Sequence, residues 1–486
     1  MRQALPFDDD KLHEECGVFG VFGLPDAAAL TALGLHALQH RGQEGAGIVS
    51  YDETARRFHS DRRKGLVGDA FSREDIIAGL KGASAIGHVR YSTAGGSLQR
   101  NVQPMFAELS SGGLALAHNG NLTNAHVLHD ELVAQGAIFQ STSDTECILH
   151  LTAMARQPTL VDRLSEALRQ VEGAYSLVCL APGMLIGVRD PLGVRPLVLG
   201  KLDGAHILAS ETCALDIIGA QYIRDIAPGE IITIGKDGMK SYSPFPPMRK
   251  RFCIFELVYF AGASSMVEGI SVYEMRRRMG GELAREAPVD ADVVVPVPDS
   301  SVPAAIGYAE ASGIPFEFGI IKNNYVGRTF IEPQDSIRHL GVKLKHNANR
   351  AVVRGKRVVL IDDSIVRGTT SKKIVQMMRD AGAREVHMRI ASPPTMNSCF
   401  YGVDTPERSK LLAAQMPVEE MAKHIAADSL AFVSIDGLYR AVGETHRARN
   451  APQFCDACFT GDYPTTLTDQ AAGASGVQLS LLAERT

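Results

Sequence analysis

The sequence lacks a long hydrophobic segment. No run of 18 apolar residues occurs among its 486 residues, which argues against a membrane-spanning helix. The first fifteen residues, MRQALPFDDDKLHEE, are acidic and have no apolar core, so they do not resemble a secretory signal. The net charge of -5 gives no general attraction to nucleic acid or to an anionic membrane. We therefore expect a protein that binds neither.

Cysteine is scarce, with eight residues in a chain that has no secretory signal. Thiols in such a chain stay reduced and serve chemistry or metal binding, so we expect a cytoplasmic protein. A Walker A loop and a fixed-period repeat are also absent, which excludes an ordinary P-loop kinase and a repeat architecture. The composition, 45% hydrophobic and 22% charged, is that of a globular enzyme long enough for two to four domains.

The pattern of apolar residues changes near residue 245. Before it, short apolar runs such as CGVFGVFG and LALAHNGNL alternate with glycine-rich turns, and two helical patterns interrupt them, in PDAAALTALGLHALQHRG and from Asp144 to about Met154. This indicates a layered α+β domain. After the proline-rich crossover SYSPFPPMRKR, continuous apolar runs end in polar loops, which is typical of a parallel α/β sheet. The polar stretch after about Pro464 is expected to be poorly ordered.

One cysteine stands directly behind two glutamates, in KLHEECGVFG. If the fifteen residues before it were removed, Cys16 would carry a free α-amino group with a pKa of roughly 8, which can act as the base beside its own thiol. Asn119 and Gly120 offer an amide side chain and an unhindered N–H group to an oxyanion, and Asp144 offers a carboxylate to an ammonium group. Taken singly, an Asn-Gly pair is more often a hairpin turn, and an Asp before a helix is more often a cap.

Five motifs occur together in one order: CGVFG, QHRGQEGAG, GHVRYST, HNGNL and SDTE. In this combination the N-terminal half resembles the class II glutamine amidotransferases. The resemblance implies an N-terminal-nucleophile domain with four α/β/β/α layers that hydrolyses glutamine to glutamate and ammonia. It implies that Cys16 is the nucleophile and that Asn119 and Gly120 form the oxyanion hole. The expected glutamine-binding residues are Arg41, Arg90, Thr93 and Asp144.

Two adjacent carboxylates end an apolar run in RVVLIDDSIVRGTTSKK. Asp362 and Asp363 would lie at the carboxyl edge of a parallel sheet, where such folds bind ligands and where carboxylates can meet ribose hydroxyls or hydrated Mg²⁺. The small residues from Gly368 to Ser371 then open an amphipathic helix, whose N-terminus is a ready phosphate site. The simpler alternative is a capped helix beside a solvated acidic pair.

The run VVLIDDSIVRGTT resembles the signature of type I phosphoribosyltransferases, which bind phosphoribosyl pyrophosphate (PRPP). VPVPDSS resembles the pyrophosphate-side loop of that family, and KNNYVGRTFI resembles its closing loop. The resemblance implies a parallel α/β domain that requires Mg²⁺, with Ser300 and the two aspartates near the metal. The residues expected to contact PRPP are Lys322, Arg328, Asp362, Asp363, Ser364, Arg367, Gly368, Thr369 and Thr370.

The order of the two halves resembles the family of PRPP-dependent glutamine amidotransferases. The resemblance implies that PRPP, glutamine and water become 5-phosphoribosylamine, glutamate and pyrophosphate, in the first committed step of purine synthesis. It also implies a homodimer or homotetramer that purine nucleotides inhibit by feedback. The expected divisions are a propeptide at 1–15, a glutaminase domain at 16–245, a phosphoribosyltransferase domain at 246–463 and a tail at 464–486. Two departures are YFAGASS, where the family commonly has YFARPDS, and Asn324, where it often has arginine.

Four cysteines of the second half include a C-x-x-C pair, which is a metal-ligand spacing. From the residues alone, a four-thiolate zinc site, an iron–sulfur cluster and unligated buried thiols all remain open. One subgroup of the resembled family has both a leader and a [4Fe–4S] cluster, with cysteines in matching contexts. The resemblance therefore implies a structural [4Fe–4S] cluster on Cys253, Cys399, Cys455 and Cys458. The expected packing residues are Cys147, Cys179 and Cys213.

Two rival functions share parts of this pattern. A glutaminase coupled to a different acceptor, as in glucosamine-6-phosphate synthase or asparagine synthetase, would need sugar-isomerase domains or an adenylating pyrophosphate loop, and neither is recognisable. A PRPP-sensing regulator would need a basic DNA-binding element, which the charge balance does not favour. It would also leave the glutaminase motifs without a role.

Overall fold

The computed structural model describes residues 13, 14, 16–91, 98–322 and 346–472. The predicted site residues Thr93 and Arg328 lie outside the described residues, as do Asn324 and most of the leader. No helix in these ranges is long and apolar enough to cross a membrane.

The N-terminal half is built from two stacked antiparallel sheets. Its strands are β1 His13–Glu14, β2 Gly17–Phe22, β3 Gly45–Asp52, β4 Arg57–Lys64, β5 Ser84–Arg90, β6 Met105–Leu109, β7 Gly112–Leu122, β8 Gly173–Ala181, β9 Met184–Arg189, β10 Val198–Leu202, β11 Ala205–Ala209, β12 Gln221–Asp225, β13 Ile231–Gly235 and β14 Gly238–Tyr242. One sheet has the order β12-β10-β11-β2-β5-β3-β4 and the other β14-β13-β9-β8-β7-β6. Val18 and Ile86 of the first sheet pack with Ala117 and Val178 of the second in a fully buried core.

Helices cover the outer faces of these two sheets. They are α1 Ala27–Ala37, α2 Val67–Ala70, α3 Glu74–Gly79, α4 Ala125–Ala134, α5 Thr145–Met154, α6 Leu160–Leu168 and α7 Cys213–Asp216, with a 3₁₀ turn at Gln99–Asn101. Leu35 of α1 packs on the first sheet, and Ile148 of α5 and Leu164 of α6 pack on the second. The predicted four-layer α/β/β/α arrangement is therefore confirmed. Both predicted helices form, as α1 and α5, whereas α2, α3, α4, α6 and α7 were not predicted.

The C-terminal half contains the predicted parallel sheet, in the order β18-β21-β22-β24. Its strands are β15 Phe252–Cys253, β16 Met266–Val267, β17 Ile270–Ser271, β18 Val293–Pro296, β19 Ile320–Lys322, β20 His346–Ala348, β21 Arg357–Asp362, β22 Glu385–Ile390, β23 Val403–Asp404, β24 Ser429–Phe432 and β25 Phe454–Cys455. Residues 358–361 of the central strand β21 are fully buried, which explains why its sequence is a continuous apolar run.

The helices of this half lie on both faces of the sheet. They are α8 Val272–Glu286, α9 Val302–Ser312, α10 Arg350–Val353, α11 Thr369–Asp380, α12 Leu412–Gln415, α13 Val418–His424, α14 Ile435–Ala441, α15 Ala457–Thr460 and α16 Thr468–Ala471, with a π-helix at Glu256–Phe260 and a 3₁₀ turn at Arg408–Lys410. Met279 of α8 and Tyr308 of α9 belong to one buried cluster, and Ile374 and Met378 of α11 belong to another. The amphipathic helix predicted after Gly368 is thus α11.

The last described residues do not form a loose tail. The Asp469 carboxylate accepts hydrogen bonds from the N–H groups of His126 (3.0 Å) and Val127 (3.1 Å), in the first turn of α4. The Thr123 hydroxyl donates to the Thr466 carbonyl at 3.0 Å. The prediction of poor order is therefore wrong for residues 464–472, because this segment caps a helix of the N-terminal half. Residues 473–486 lie outside the described part.

Candidate active site

Cys16 lies immediately before β2, between the neighbouring strands β11 and β5, and is buried. Its φ of +77° is in the left-handed region, where a non-glycine residue is strained by about 1–2 kcal/mol. Two backbone contacts hold it: its N–H donates to the Arg41 carbonyl at 3.2 Å, and its carbonyl accepts from Arg41 Nε at 3.3 Å. Gly17 pairs with Val89, so Arg90 stands opposite Cys16 at the end of β5.

Asn119 and Gly120 lie on β7 of the second sheet, paired with Ser176 and Tyr175 of β8. The Asn119 side chain is fully buried, and among the described residues neither its oxygen nor its nitrogen has a hydrogen-bond partner. A buried amide without partners costs free energy, and its oxygen and nitrogen remain available for hydrogen bonds to a ligand. Gly120 has a φ of +148°, and a Cβ there would lie 2.0 Å from the Ala174 carbonyl oxygen, so only glycine fits.

Asp144 stands at the start of α5 and faces the same strand. Its Oδ2 accepts the N–H of Leu122 at 3.0 Å, and its Oδ1 lies 3.8 Å from Nδ1 of His118. Burial lowers the pKa of His118, although the Asp144 charge opposes that shift. A cavity of about 140 Å³ opens beside Asp144, and its wall includes Phe400 and Leu467 of the C-terminal half. Asp144 is thus a carboxylate at the edge of a cavity shared by both halves.

Arg41 is fully buried, and its guanidinium contacts two carboxylates rather than an open pocket. Nη1 donates to Glu211, and Nη2 donates to both oxygens of Glu256 at 2.9 and 3.1 Å. Arg195 also donates to Glu256, at 2.9 Å. Burial alone would raise the pKa of Glu211, but His40 and Arg41 together hold it well below its usual value. The sequence reasoning missed Glu211, Glu256 and Arg195, since no local motif marks them.

The second group of predicted residues surrounds the carboxyl end of β21. Asp362 and Asp363 are almost completely buried there, and the Ser364 hydroxyl donates to Asp363 Oδ1 at 2.9 Å. The Ser300 hydroxyl donates to the other oxygen of Asp363. Lys322, at the end of β19, pairs with Asp299. The structure therefore brings three predicted segments to one sheet edge, with α11 beginning directly behind them.

The N-terminus of α11 completes this edge. Gly368 precedes the helix with a φ of +79°, and Thr369 and Thr370 form its first turn. Arg367 lies between the aspartates and that turn, and it is partly buried. N–H groups at the start of a twelve-residue helix, with hydroxyls beside them, suit an anionic phosphate group.

The four cysteines of the C-terminal half converge on one small apolar cavity. Cys253 and Cys455 are direct partners in the parallel pair β15–β25, while Cys458 lies on α15 and Cys399 receives the Tyr401 N–H at 3.3 Å. All four line a cavity of about 20 Å³. Burial raises the pKa of Cys455 to about 12, with Cys399 adding to the shift, so the thiolate form needs a cation.

The spacing of these sulfurs distinguishes between metals. A tetrahedral zinc ion with Zn–S bonds of about 2.3 Å would hold its sulfurs about 3.8 Å apart. Within the described ranges, no three of these four sulfurs lie within 4.8 Å of one another. An iron–sulfur cluster binds each thiolate through a different iron and so spaces the sulfurs more widely. The residues present therefore fit a multinuclear cluster better than a single ion.

Comparison with known proteins separates the same two halves. Residues 88–216 match the glutamine amidotransferase domain family, and residues 276–391 match the phosphoribosyl transferase domain family. Fold, sites and family matches together define a two-domain enzyme, a glutaminase joined to a phosphoribosyltransferase.

Whole-chain relatives specify which enzyme this is. The chain is 60% identical over 484 residues to the amidophosphoribosyltransferase of Rhizobium etli, covering 98% of this chain and 97% of that one. It is 49% identical to the enzyme of the same name from Bacillus subtilis, covering 94% and 95%. A solved structure of the B. subtilis PRPP amidotransferase with ADP and GMP has a TM-score of 0.88 at 47% identity, covering 93% of this chain and 98% of that one. The chain belongs to the amidophosphoribosyltransferase family, and its activity is glutamine-dependent amidotransfer to PRPP in purine biosynthesis.

Proposed function

We propose that Cys16 is the nucleophile that releases ammonia from glutamine. Its thiol attacks the side-chain carboxamide carbon while the α-amino group of the same residue accepts the thiol proton. The resulting oxyanion accepts hydrogen bonds from the Asn119 side chain and the Gly120 N–H. Ammonia leaves with a proton returned by the α-amine, and water then hydrolyses the thioester to glutamate. The observation that carries this assignment is the buried, unpartnered amide of Asn119 on the strand behind Cys16.

The substrate is oriented by its α-carboxylate and α-ammonium groups. We assign Arg90 to the carboxylate, because it ends β5 opposite Cys16, together with Thr93 from the adjoining motif. Asp144, at the cavity edge, would take the ammonium group. Arg41 was also predicted to contact glutamine, and we assign it instead to positioning Cys16. Its guanidinium is directed at two buried carboxylates and at the Cys16 carbonyl.

An α-amine at Cys16 requires removal of residues 1–15 at the Glu15–Cys16 bond. The left-handed φ of Cys16 supports such a processing step, since the strain belongs to the intact chain and disappears when the preceding peptide bond is cut. We accordingly propose that residues 1–15 are a propeptide, that 16–245 are the glutaminase domain and that 246–463 are the transferase domain. The remaining segment, 464–486, docks on the glutaminase domain through its first nine residues.

For the second half reaction, we assign PRPP to the carboxyl end of β21. The 5-phosphate would bind at the N-terminus of α11, on Arg367, Gly368, Thr369 and Thr370, and the ribose hydroxyls would meet Asp362 and Asp363. Ser364 supports that pair, and Lys322 with Arg328 would face the pyrophosphate. Mg²⁺ would be held near Ser300, Asp362 and Asp363 and would neutralise charge on the departing pyrophosphate. Asp362 and Asp363 are almost completely buried at this edge, whereas Lys322 and Thr369 are exposed, so water would have to be kept from C1 for ammonia to compete.

The four converging cysteines support a resident [4Fe–4S] cluster on Cys253, Cys399, Cys455 and Cys458. The reaction has no redox step, so the group would be structural: it would fasten β25 and α15 to the body of the transferase domain. We also propose a cytoplasmic location, because thiols that serve as metal ligands are kept reduced there. The B. subtilis structure with ADP and GMP supports feedback inhibition of this enzyme by purine nucleotides. We further propose that the enzyme is a homodimer or a homotetramer.

The coupled reaction is tested by measuring both products. Glutamate and pyrophosphate are expected to appear in equal amounts, and only when glutamine, PRPP and Mg²⁺ are all present. Ammonium chloride in place of glutamine should still yield pyrophosphate. This control measures the activity of the second domain independently of the first in one preparation. Glutamate release at the same rate with and without PRPP, and without pyrophosphate formation, would contradict the assignment of the second domain.

Removal of one cluster ligand is expected to affect colour and stability together. Anaerobically purified Cys455→Ser protein should lose most of its visible iron–sulfur absorption and its bound iron, and should unfold at a lower temperature than the wild type. Cys179→Ser is a matched control, because Cys179 is fully buried but lies in β8, away from the cavity. Iron content and absorption equal in all three proteins would rule out the proposed ligand set. Prolonged exposure of the wild type to air should reproduce the Cys455→Ser losses.

A further inference from the structure

We infer that Asp469 is a positioning residue that sets the selectivity of the glutaminase half for the α-ammonium group of glutamine. Asp469 lies on α16, near the end of the described chain, and it lines the same cavity of about 140 Å³ as Asp144. The role of Asp469 rests on the proposed function of Asp144, which is to bind that ammonium group. Asp469 acts on the substrate through Asp144 and not by contact.

The C-terminal segment 464–472 holds Thr123, the residue that follows β7. The Asp469 N–H donates to the Thr123 carbonyl at 2.9 Å, and the Thr123 hydroxyl donates to the Thr466 carbonyl at 3.0 Å. The Thr123 N–H donates to the Glu172 carbonyl at 2.9 Å, and the Glu172 carboxylate accepts the Thr468 hydroxyl. All three hydrogen-bonding groups of Thr123 are therefore directed at this segment or at a residue bonded to it.

The preceding residue, Leu122, holds Asp144. The Leu122 N–H donates to Asp144 Oδ2 at 3.0 Å, and Leu122 is itself almost completely buried. Because a planar peptide bond joins Leu122 to Thr123, a displacement of Thr123 also moves the N–H that holds the carboxylate. Two hydrogen bonds and one pair of adjacent residues thus connect the main chain of Asp469 to the carboxylate of Asp144.

The Asp469 side chain fixes the helix that begins beside this pair. Its two carboxylate oxygens accept the N–H groups of His126 and Val127, which the first turn of α4 leaves without helical partners. Asn124 stands in the N-cap position, but its side chain does not cap the helix and donates instead to the Gln170 carbonyl. Asp469 therefore supplies from the far end of the chain the cap that the local residue does not.

The direction of the Asp144 carboxylate decides how well it binds an ammonium group. A charge-assisted hydrogen bond needs a donor–acceptor distance of about 2.7–2.9 Å, so a small rotation or shift of the carboxylate weakens it. Without the contacts of Asp469, we expect Asp144 to bind the ammonium group less well. The enzyme should then distinguish glutamine less sharply from an amide that lacks this group.

The test compares glutamine with glutaramate, the same amide without the α-ammonium group, as nitrogen sources for the full-length holoenzyme. The ratio of the two kcat/KM values measures what the ammonium group contributes. Asp469→Ala and Thr123→Val are each expected to lower this ratio by about threefold or more. A hydrogen bond to a charged group contributes roughly 10- to 100-fold in affinity, and only part of it is lost here. Synthesis from ammonium chloride should stay at the wild-type level in both variants.

Thr159→Ala is the matched control for the loss of a helix cap. The Thr159 hydroxyl caps α6 in the same half by accepting the Asp162 N–H at 3.2 Å. The unfolding temperature should fall in Thr159→Ala as in Asp469→Ala, whereas the selectivity ratio should fall only in Asp469→Ala. Asp144→Asn tests the underlying assignment, and it should lower the ratio more than any other variant.

The outcomes separate the inference from the function on which it rests. A ratio that is unchanged in Asp469→Ala and Thr123→Val but lowered in Asp144→Asn would overturn the role of Asp469 and keep that of Asp144. A ratio that is unchanged in Asp144→Asn as well would overturn both roles. Equal losses of kcat/KM for the two amides in Asp469→Ala, or a ratio lowered as much by Thr159→Ala, would show that Asp469 only stabilises the fold.

Discussion

Cys16→Ala protein is expected to lose glutamine-dependent synthesis by about 10⁴-fold or more while keeping synthesis from ammonium chloride. Without the thiol no thioester can form. The residues proposed to bind PRPP lie on β21 and α11, far from Cys16 in the sequence. The measurement is pyrophosphate release with either nitrogen source.

Two controls make this result specific. Cys179→Ser removes a fully buried thiol from β8, whose pKa burial raises, away from the cavity beside Asp144, and should leave both activities near the wild-type level. Intact mass shows whether residues 1–15 have been removed from each variant, because a retained leader would block the site by itself. Equal loss of both activities in Cys16→Ala would indicate misfolding, and retained glutamine turnover would refute the assignment of the nucleophile.

Glu256→Gln is expected to destabilise the protein by about 3–5 kcal/mol, since breaking a buried ion-pair network leaves charge uncompensated. The Glu256 carboxylate is fully buried on the π-helix that begins the transferase half, and it accepts from both Arg41 and Arg195 of the glutaminase half. The amide keeps the size of the side chain and one accepting oxygen but removes its charge, so two buried guanidinium groups lose the negative charge that they share. The urea midpoint of unfolding should fall accordingly.

The matched control for this variant is Glu310→Gln. Glu310 pairs with Arg277 on the surface of the transferase half, with its side chain 52% exposed, and an exposed pair contributes less than about 1 kcal/mol. Because Arg41 also holds Cys16, Glu256→Gln should in addition reduce glutamine turnover more than ammonia turnover. An unfolding midpoint like that of Glu310→Gln would show that the two arginines are satisfied without Glu256.

Residues that are adjacent in the sequence could be predicted, whereas residues that only the fold brings together could not. Asp362 and Asp363 follow an unbroken apolar run, so their place at a sheet edge follows from the pattern alone. Glu211 and Glu256 have no such signal, because their partner Arg41 is 170 and 215 residues away. The sequence around Asp469 is that of an ordinary polar tail and does not indicate that its carboxylate caps a helix 343 residues earlier.

Helix α6 could have been predicted from its pattern. Leu160, Leu164 and Leu168 recur every four residues, and the Thr159 hydroxyl accepts the N–H of Asp162 at 3.2 Å as an N-cap. Period and cap are both visible in TLVDRLSEAL. Helix α4 is different, because part of its first-turn capping comes from Asp469 at the other end of the chain. Local sequence therefore predicts α6 and gives an incomplete account of α4.

The segment that follows Cys399 packs closely against the strand of the proposed oxyanion residues. Gly402 has a φ of +108°, and a Cβ there would lie 2.8 Å from Arg195 Nη2 and 3.1 Å from the Cα of Gly120. The Asn121 side chain donates to the Phe400 carbonyl at 3.0 Å, and Arg195 donates to the Gly402 carbonyl. Because this contact is close and held by hydrogen bonds, a displacement of the segment that carries Cys399 would be transmitted to Gly120. We therefore expect oxidation at the four proposed cluster cysteines to displace Gly120 through this segment. An oxidised enzyme should then lose glutamine-dependent activity before it unfolds.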